Sequence, residues 1–529
     1  MAYDSLFSKT PAIFADQYAF TMGAVDFSAQ ELARKSTSQI FFRQLIGNGF
    51  KNAEGNDLKI PYLVVGGLGP FVEWLDNWKF TAEDAAYFAS QKMGDVRIYS
   101  DVYIDLLQNT PLRISIDAMP EGELAFPDEP LFRLTGPHYQ VQMLEAALLN
   151  VVTAQTGWAT IASQFWLAAQ RLTGSAPLFE FGARRTSEWG GLGSSRSSYL
   201  AGWSGTSNMY AGRVYGVPTV GTMAHAFVMV RESEIEAFTD WATNMPHLGV
   251  FLVDTYDSEE GVKTAIKVCK ANDIKLRGIR LDSGDVDYLS RKLRKMLDAA
   301  GYKETAIMAS DSLSVPAIHQ IYQVKEAPLN SFAVGGNYAA RRQDMGGTTT
   351  AVMKTAQSDG RDLMKISNSP DKATFLGVQD ILRYIEKGPD GPRYAGDTII
   401  PYGLDVGEGR LSREIISIPR RSPNGLKPFP RGVEFYCPIV PIMRDGRHLL
   451  PEFQAQDARA VLQKARNRFF QSMSRLDPAH KAIISPRLYI AGVQAELLDQ
   501  QTKRVRQHML NAQRRRQQAR FTRQNRQGD

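Results

Sequence analysis

The stretch GVFLVDTYDSEEGVKTAIKVCKANDIKLRGIRLDSGD, residues 249–285, decides the fold. An apolar run from Gly249 to Val253 stops at the polar segment Asp254-Thr255-Tyr256-Asp257, and a helical pattern follows from about Glu259 to Lys270. A second apolar run, Gly278-Ile279-Arg280-Leu281, stops at Asp282-Ser283-Gly284-Asp285, with another helix expected to about Ala300. The unit recurs downstream. Ala306 to Ala309 stops at Ser310-Asp311-Ser312 and leads into a helix to about Val324; Phe332 to Val334 stops at Gly335-Gly336-Asn337. Strands alternating with helices of about 10–15 residues make parallel βα units. In barrels of such units chemistry collects where strands end and loops begin. Here those ends carry Asp, Ser, Gly and Arg, the residues a polar, anionic substrate requires.

Outward from this centre the texture changes. Residues 1–125 mix helical patterns with short strands and turns such as Gly66-Gly67-Leu68-Gly69-Pro70. Residues 390–450 are rich in Pro and Gly, with short apolar runs such as Phe435 to Ile442. The expected fold class is α/β. Residues 126–385 form an α/β barrel, 1–125 and 386–453 form one smaller mixed α+β domain built from both flanks, and 454–529 form a helical extension with a basic tail. No internal sequence repeat is visible.

Composition is that of a globular protein: 529 residues, 43% hydrophobic and 22% charged. A chain this long buries a large core without staples. Its two cysteines, Cys269 and Cys437, have no metal-ligand spacing, which fits a reducing compartment or simply no need for disulfides. The start, MAYDSLFSKTPAIFADQY, has no basic region followed by an apolar run, and no stretch of about 18 apolar residues occurs. The expectation is a cytoplasmic protein without a membrane span. The net charge of +6 is local: residues 501–529 carry nine Lys or Arg against one Asp, so the remaining 500 residues sum to −2. That tail, with Arg514-Arg515-Arg516, Arg520, Arg523 and Arg526 among glutamines, has the charge to contact nucleic acid or an acidic partner; a solvated terminus is the expected reading.

Four strand-end segments could carry chemistry. FEFGARR (residues 179–185) puts Phe181, Arg184 and Arg185 after a short strand. Two guanidinium groups there suit a diphosphate, or else a surface ion-pair site. GTMAHAFVM (residues 221–229) holds His225, which by type is a base, a metal ligand, a phosphate acceptor or a hydrogen-bonded core histidine. In RLDSGD (residues 280–285), Asp282 and Asp285 can hold Mg²⁺ or ribose hydroxyls, and Gly284 lets backbone N–H groups approach a phosphate at a helix start. Ser283 or Asp282 can equally cap the next helix. The pair Gly335-Gly336 is either a phosphate cradle or a turn.

Together, in order, these segments resemble a known family. FEFGARR, GTSN (residues 205–208), GTMAHAFV, LVDTYD (residues 252–257), GIRLDSGD and MKIS (residues 364–367) resemble nicotinate phosphoribosyltransferases. DQYAFTM (residues 16–22) is similar to the family's N-terminal motif, and EGELAFPDEPLFRLTGP (residues 121–137) to its linker into the barrel. The resemblance spans roughly residues 12–385. It implies a type II phosphoribosyltransferase: an irregular α/β barrel with a split smaller domain, acting as a homodimer whose sites are completed by the partner chain. It implies transfer of the phosphoribosyl group of 5-phosphoribosyl 1-diphosphate to nicotinate, in NAD biosynthesis, with Mg²⁺ and with ATP as co-substrate. By motif position, Phe181 and Tyr18 of the other subunit would sandwich the pyridine ring. Arg280 would lie near the carboxylate, with Thr222 beside it. Arg184, Asp282, Ser283, Gly284, Gly335 and Gly336 would surround phosphoribosyl diphosphate, and His225 would be the histidine that ATP phosphorylates. His225, Arg280 and Asp282 are the catalytic candidates; the metal ligands are open.

The alternative base is nicotinamide. In that related enzyme an aspartate stands where this chain has Ser207, accepting a hydrogen bond from the amide. An aspartate there would repel a carboxylate, so neutral Ser207 favours nicotinate. One departure points the other way: Gly336 stands where most nicotinate enzymes have Thr, and Arg341 and Arg342 follow soon after. A different class of function, an idle relative that senses phosphoribosyl ligands and binds RNA through the tail, is opposed by the presence of His225, Arg280 and the RLDSGD carboxylates.

Overall fold

A computed structural model describes residues 11–310, 312–340, 350–367, 372–419 and 425–525. Its centre is a six-stranded parallel sheet: β1 (Leu178–Glu180), β2 (Gly205–Thr206), β3 (Val250–Leu252), β4 (Gly278–Leu281), β5 (Ala306–Ala309) and β6 (Ser331–Val334). The strand order is β2-β1-β6-β5-β4-β3. Register runs straight through the middle, with Ile279 opposite Phe251 on one side and Ile307 on the other. These strands are short and mainly apolar, with Glu180, Thr206 and Arg280 as polar exceptions near their C-terminal ends. Beyond β2 the parallel ladder continues through residues 218–220: Thr206 donates its N–H to Pro218 O (3.0 Å) and accepts that of Val220 (2.9 Å). Among the described residues no pairing joins that segment to β3, so the ladder is part of a barrel and not the closed ring a barrel implies.

Each crossover helix forms for a reason visible in its sequence. After β3, Asp257 Oδ1 accepts the backbone N–H groups of Glu259 (3.0 Å) and Glu260 (2.9 Å), starting helix Ser258–Ala271. That helix buries Val262, Ala265, Val268 and Cys269 against the sheet. After β4, Asp285 caps helix Val286–Ala299 by accepting the N–H of Tyr288 (3.1 Å). Its buried stripe, Ser290, Leu293 and Leu297, recurs at helical spacing; burial of each leucine stabilises by about 1.5–3 kcal/mol. After β5 the helix is short, Val315–Ile318, and widens into a π-helical turn, His319–Val324.

Two further sheets flank this centre. An antiparallel sheet joins residues from both ends of the chain: Lys35–Phe42, Ser115–Ala118 and Val440–Arg444 lie in it. It also takes Pro130–Pro137 and Ala351–Ser358, strands inside the 126–385 span that the sequence reading gives to the barrel. Apolar alternation marks a strand as half-buried but carries no label for the sheet it joins. The third sheet, around Gln379–Gly388 and Gly391–Pro401, accepts Ala491–Gln494 between Gly391–Pro401 and Ile415–Pro419. The C-terminal extension therefore holds a strand as well as helices Ala458–Arg475 and Ala495–Asn525. Arg514 is exposed on the last helix, and Arg526 lies outside the described residues.

The 24-residue helix Glu145–Ala168 ties flank to centre. Its Thr160 and Thr156 hydroxyls accept the backbone N–H groups of Val64 (2.8 Å) and Gly66 (3.1 Å). Beside it, Arg196 on helix Glu188–Leu200 pairs with Glu121 through two N–H···O bonds of 2.7 Å, both side chains almost wholly buried. Glu121 also accepts the N–H of Gly67 (2.6 Å) and of Gly69 (3.1 Å) at the start of helix Leu68–Asp76. One carboxylate thus joins a flank loop, a flank helix and a helix of the central domain.

Candidate active site

Because the six strands are parallel, their C-terminal ends share one side of the sheet, and the sequence-predicted residues gather there. Arg280, on β4, is the hub. Its Nε donates to Ser310 Oγ (2.8 Å), Nη1 to Thr222 Oγ1 (3.0 Å) and Nη2 to Asp282 Oδ1 (3.0 Å). Ser310 in turn donates to Asp282 Oδ1 at 2.5 Å, so its hydroxyl accepts from the guanidinium and gives to the carboxylate. The guanidinium carbon lies 5.5 Å from the centre of the Phe181 ring. A fixed planar cation beside an aromatic face suits a flat anion bearing a ring.

Asp282 connects this hub to His225. The second carboxylate oxygen lies 3.5 Å from His225 Nε2, and His225 Nδ1 lies 3.1 Å from Thr255 Oγ1. His225 opens the short helix His225–Met229 with its side chain 38% exposed, which rules out the core-histidine reading. Asp254, at the end of β3, accepts the N–H of Asp282 (2.8 Å) and the hydroxyl of Ser283 (2.6 Å) through one oxygen. Its other oxygen is buried without a hydrogen-bond partner among the described residues. Gly284 takes φ +82°, a left-handed conformation that turns the chain into helix Val286–Ala299. That helix is capped by Asp285, leaving Asp282 and Ser283 to the site.

Along the same row of strand ends, Phe181 donates its N–H to Val334 O (2.8 Å), holding the FEFGARR segment against the Gly335-Gly336 turn. A Cβ on Gly182 would come within 2.3 Å of Ala339 Cβ, so only glycine permits this approach. The side chain of Arg185 passes over Gly336, about 3.6 Å from where a Cβ would stand. Arg184 is exposed at the same turn. Ser207 is exposed after β2 and donates its N–H to Glu180 O (2.9 Å). Arg341 and Arg342 lie outside the described residues.

Glu180 is a position beside the site that sequence reasoning missed. It is fully buried on β1, yet its carboxylate accepts Gly182 N–H (2.5 Å), Ser195 Oγ–H (2.8 Å) and Thr206 Oγ1–H (2.7 Å). Burial raises its pKa against the pull of those three donors. It locks the turns that carry Phe181 and Ser207. The available signal was an acid between two phenylalanines in an apolar strand. Asp254, Thr255 and Ser310 were legible as strand-ending residues; their bonds to Asp282, His225 and Arg280 were not.

Tyr18 sits elsewhere in the chain. It lies on helix Gln17–Ser28, its hydroxyl donates to Glu145 Oε2 (3.3 Å), and it is 47% exposed. Burial, with Glu145 and Asp16 adding to it, pushes the phenol up to about 12. With Met22 and Val25 it forms an exposed apolar stripe at i, i+4 and i+7. Next to Glu145 lies a basic group: burial lowers the pKa of Lys354, and Lys365 (of MKIS) and Arg43 press it the same way. Among the described residues no cluster of three His, Cys, Asp or Glu is arranged to hold a metal, no helix is long and apolar enough to cross a membrane, and Cys269 and Cys437 are both free thiols.

Known proteins resemble this chain along most of its length. Residues 13–153 match the family model for the nicotinate phosphoribosyltransferase (NAPRTase) N-terminal domain, and residues 177–388 match that for the NAPRTase family. A nicotinate phosphoribosyltransferase of Mycobacterium tuberculosis is 33% identical over 413 residues, covering 78% of this chain and 82% of the relative. One from Bacillus subtilis is 33% identical over 412 residues, 76% of this chain and 78% of the relative. The crystal structure of human nicotinic acid phosphoribosyltransferase superposes with a TM-score of 0.74 at 23% identity, over 92% of this chain and 99% of that one, a likeness of fold.

Proposed function

Because the chain belongs to the nicotinate phosphoribosyltransferase family, we propose that it transfers the 5-phosphoribosyl group of 5-phosphoribosyl 1-diphosphate to nicotinate, releasing diphosphate, as a step in NAD biosynthesis. The observation that carries this reading is the Arg280 hub: a guanidinium held from three directions beside the Phe181 ring. Arg280 pairs the pyridine carboxylate while Phe181 stacks on the ring, aligning the ring nitrogen with C1′. As the C1′–O bond to diphosphate breaks, positive charge develops on the ribose and negative charge on the leaving group. Arg184 and the backbone N–H groups of Ser283–Gly284 and Gly335–Gly336 neutralise the anion. Asp282 faces the ribose side from between Arg280 and His225.

Mg²⁺ fits this donor set. Such an ion commonly takes one or two carboxylates plus substrate phosphates; Asp282 and the Asp254 oxygen that has no hydrogen-bond partner among the described residues would supply those carboxylates. When bound, the ion supplies charge neutralisation of the leaving diphosphate.

ATP enters through His225. In this reading an imidazole nitrogen takes the γ-phosphoryl group with release of ADP, and hydrolysis of the phosphohistidine returns inorganic phosphate. The exposed ring, oriented by Thr255 and Asp282, supports that role. His225→Ala is expected to keep basal transfer within about tenfold but to abolish stimulation by ATP. Assay of product with and without ATP checks this, and full stimulation in the variant would sink it.

The open sheet supports the irregular barrel of type II phosphoribosyltransferases, with the flank sheets as its smaller domain and a helical, basic C-terminal extension. A homodimer is part of the proposal. The exposed stripe Tyr18, Met22 and Val25 and the basic group Arg43, Lys354 and Lys365 would face the partner's strand ends. The partner subunit's Tyr18 would then close the ring sandwich.

The deciding experiment supplies phosphoribosyl diphosphate and Mg²⁺ with nicotinate or nicotinamide, with and without ATP, and follows each mononucleotide. Ser207 supports the acid. Ser207→Asp is expected to lower kcat/KM for nicotinate about 10–100-fold, because an added carboxylate repels the substrate's. Unchanged nicotinate turnover in that variant would remove Ser207 from the argument.

A further inference from the structure

A cavity of about 290 Å³ lies behind the strand-end site. Its walls come from helix Leu68–Asp76, the middle of helix Glu145–Ala168 and the start of helix Glu188–Leu200. The lining is unusually aromatic: Phe14, Trp74, Trp158 and Trp189. Among the described residues Glu73 is its one charged lining residue, and no Lys, Arg or His lines it. The volume lies just under the range of about 300–1,000 Å³ typical of ligand pockets.

We propose that this cavity binds a planar organic cation, a nitrogen heterocycle made cationic by alkylation or protonation. The faces of indole and phenyl rings carry negative charge density and attract cations, most strongly when water is excluded. Glu73 adds a carboxylate, with no cation beside it in the wall among the described residues. The neighbouring Arg196 is engaged by Glu121 through two bonds of 2.7 Å. Burial, with Asp76 adding to it and Arg196 opposing it, pushes the Glu73 carboxyl up to about 8. A cation in the cavity would hold it ionised. Trp158 is fixed in place, because its indole N–H donates to Ala339 O (3.0 Å), while the Trp74 ring is stacked on Phe71.

The occupant would touch the site from behind. Ala339 and Ala340 end the short helix that begins at Gly336, and Thr186 and Ser187 follow directly on Arg184-Arg185. Both phosphate-side segments thus contribute wall to the cavity. On the proposed function, occupancy shifts KM for phosphoribosyl diphosphate more than KM for nicotinate.

The test titrates the full chain with N-methylquinolinium and, at a pH where it is neutral, with quinoline, reading tryptophan fluorescence. Expected is saturable quenching by the cation, with quinoline binding about tenfold more weakly. Glu73→Gln, checked for unaltered thermal unfolding, should weaken the cation about tenfold, and Phe181→Ala should leave it unchanged. Equal binding of the neutral ring, or no effect of Glu73→Gln, overturns the proposal. So does loss of binding in Phe181→Ala, which would assign the signal to the substrate site. Steady-state rates with saturating cation read the second half: an unchanged KM for phosphoribosyl diphosphate overturns the coupling. Fluorescence reads the cavity even in a chain that turns nothing over, so failure of the activity and failure of the site are distinguishable.

Discussion

Replacing Arg280 with alanine is expected to lower kcat/KM for nicotinate by about a thousandfold, close to 4 kcal/mol of transition-state stabilisation. Two effects add. The substrate carboxylate loses its charge-assisted partner. Asp282, which Arg280 Nη2 and Ser310 now hold, is left facing an anionic substrate with its nearest cation gone. Arg280→Lys should recover only a small part. A lysine is a single point charge, whereas the guanidinium reaches Ser310, Thr222 and Asp282 at once in a fixed plane. The same loss should be much smaller for nicotinamide, which carries no carboxylate. Initial rates over both substrates measure these effects. An Arg280→Ala enzyme within about threefold of the parent for nicotinate would exclude Arg280 from the chemistry.

The second large effect concerns the frame. Arg196→Met is expected to cost about 3–5 kcal/mol of stability at neutral pH, because it leaves the Glu121 carboxylate buried with no cation. In the parent, burial pushes this carboxyl up, but Arg196 and the N–H groups of Gly67 and Gly69 outweigh burial and hold it below the ordinary value. A folded value below the unfolded one means stability that is present above about pH 4.5 and lost as pH falls through the folded value. Without Arg196 the balance reverses. The Glu121 pKa rises above its unfolded value, so the penalty should shrink as pH falls from neutral towards 5. Urea unfolding of parent and variant at those two pH values measures the sign. A penalty that is the same at both would mean that lost packing, and not the stranded charge, is the cause. Glu121→Gln with Arg196→Met should recover much of the loss, since a neutral amide still accepts from Gly67 N–H.

The fold and the site were legible to different depths. Strands at Gly278–Leu281 and Ala306–Ala309 coincide with the mainly apolar runs that predict them, because their buried positions are apolar, while Arg280 occupies a partly exposed position at the strand end. Their ends were legible for the same reason: Asp282, Ser283 and Ser310 interrupt the apolar pattern. Glu180 was not, since a buried acid between Phe179 and Phe181 has the same local sequence whether it is satisfied or stranded. Its three donors come from Gly182, Ser195 and Thr206, and the last two reach it only when the chain has folded back. The membership of Pro130–Pro137 and Ala351–Ser358 in a flank sheet was illegible as well, because backbone hydrogen bonding between strands distant in sequence leaves no local trace.

By itself, the sequence determined the βα alternation and the polar strand ends that hold Arg280 and Asp282, since periodicity and chemical type are local properties; His225 stood out only through the family resemblance. Only the tertiary structure decided that Arg280 and His225 share one carboxylate, that Asp285 and not Ser283 caps the following helix, and that residues 218–220 extend the sheet past β2 without pairing with β3 among the described residues. Those outcomes depend on which loops meet at the strand ends, and that is set by parallel pairing across dozens of intervening residues.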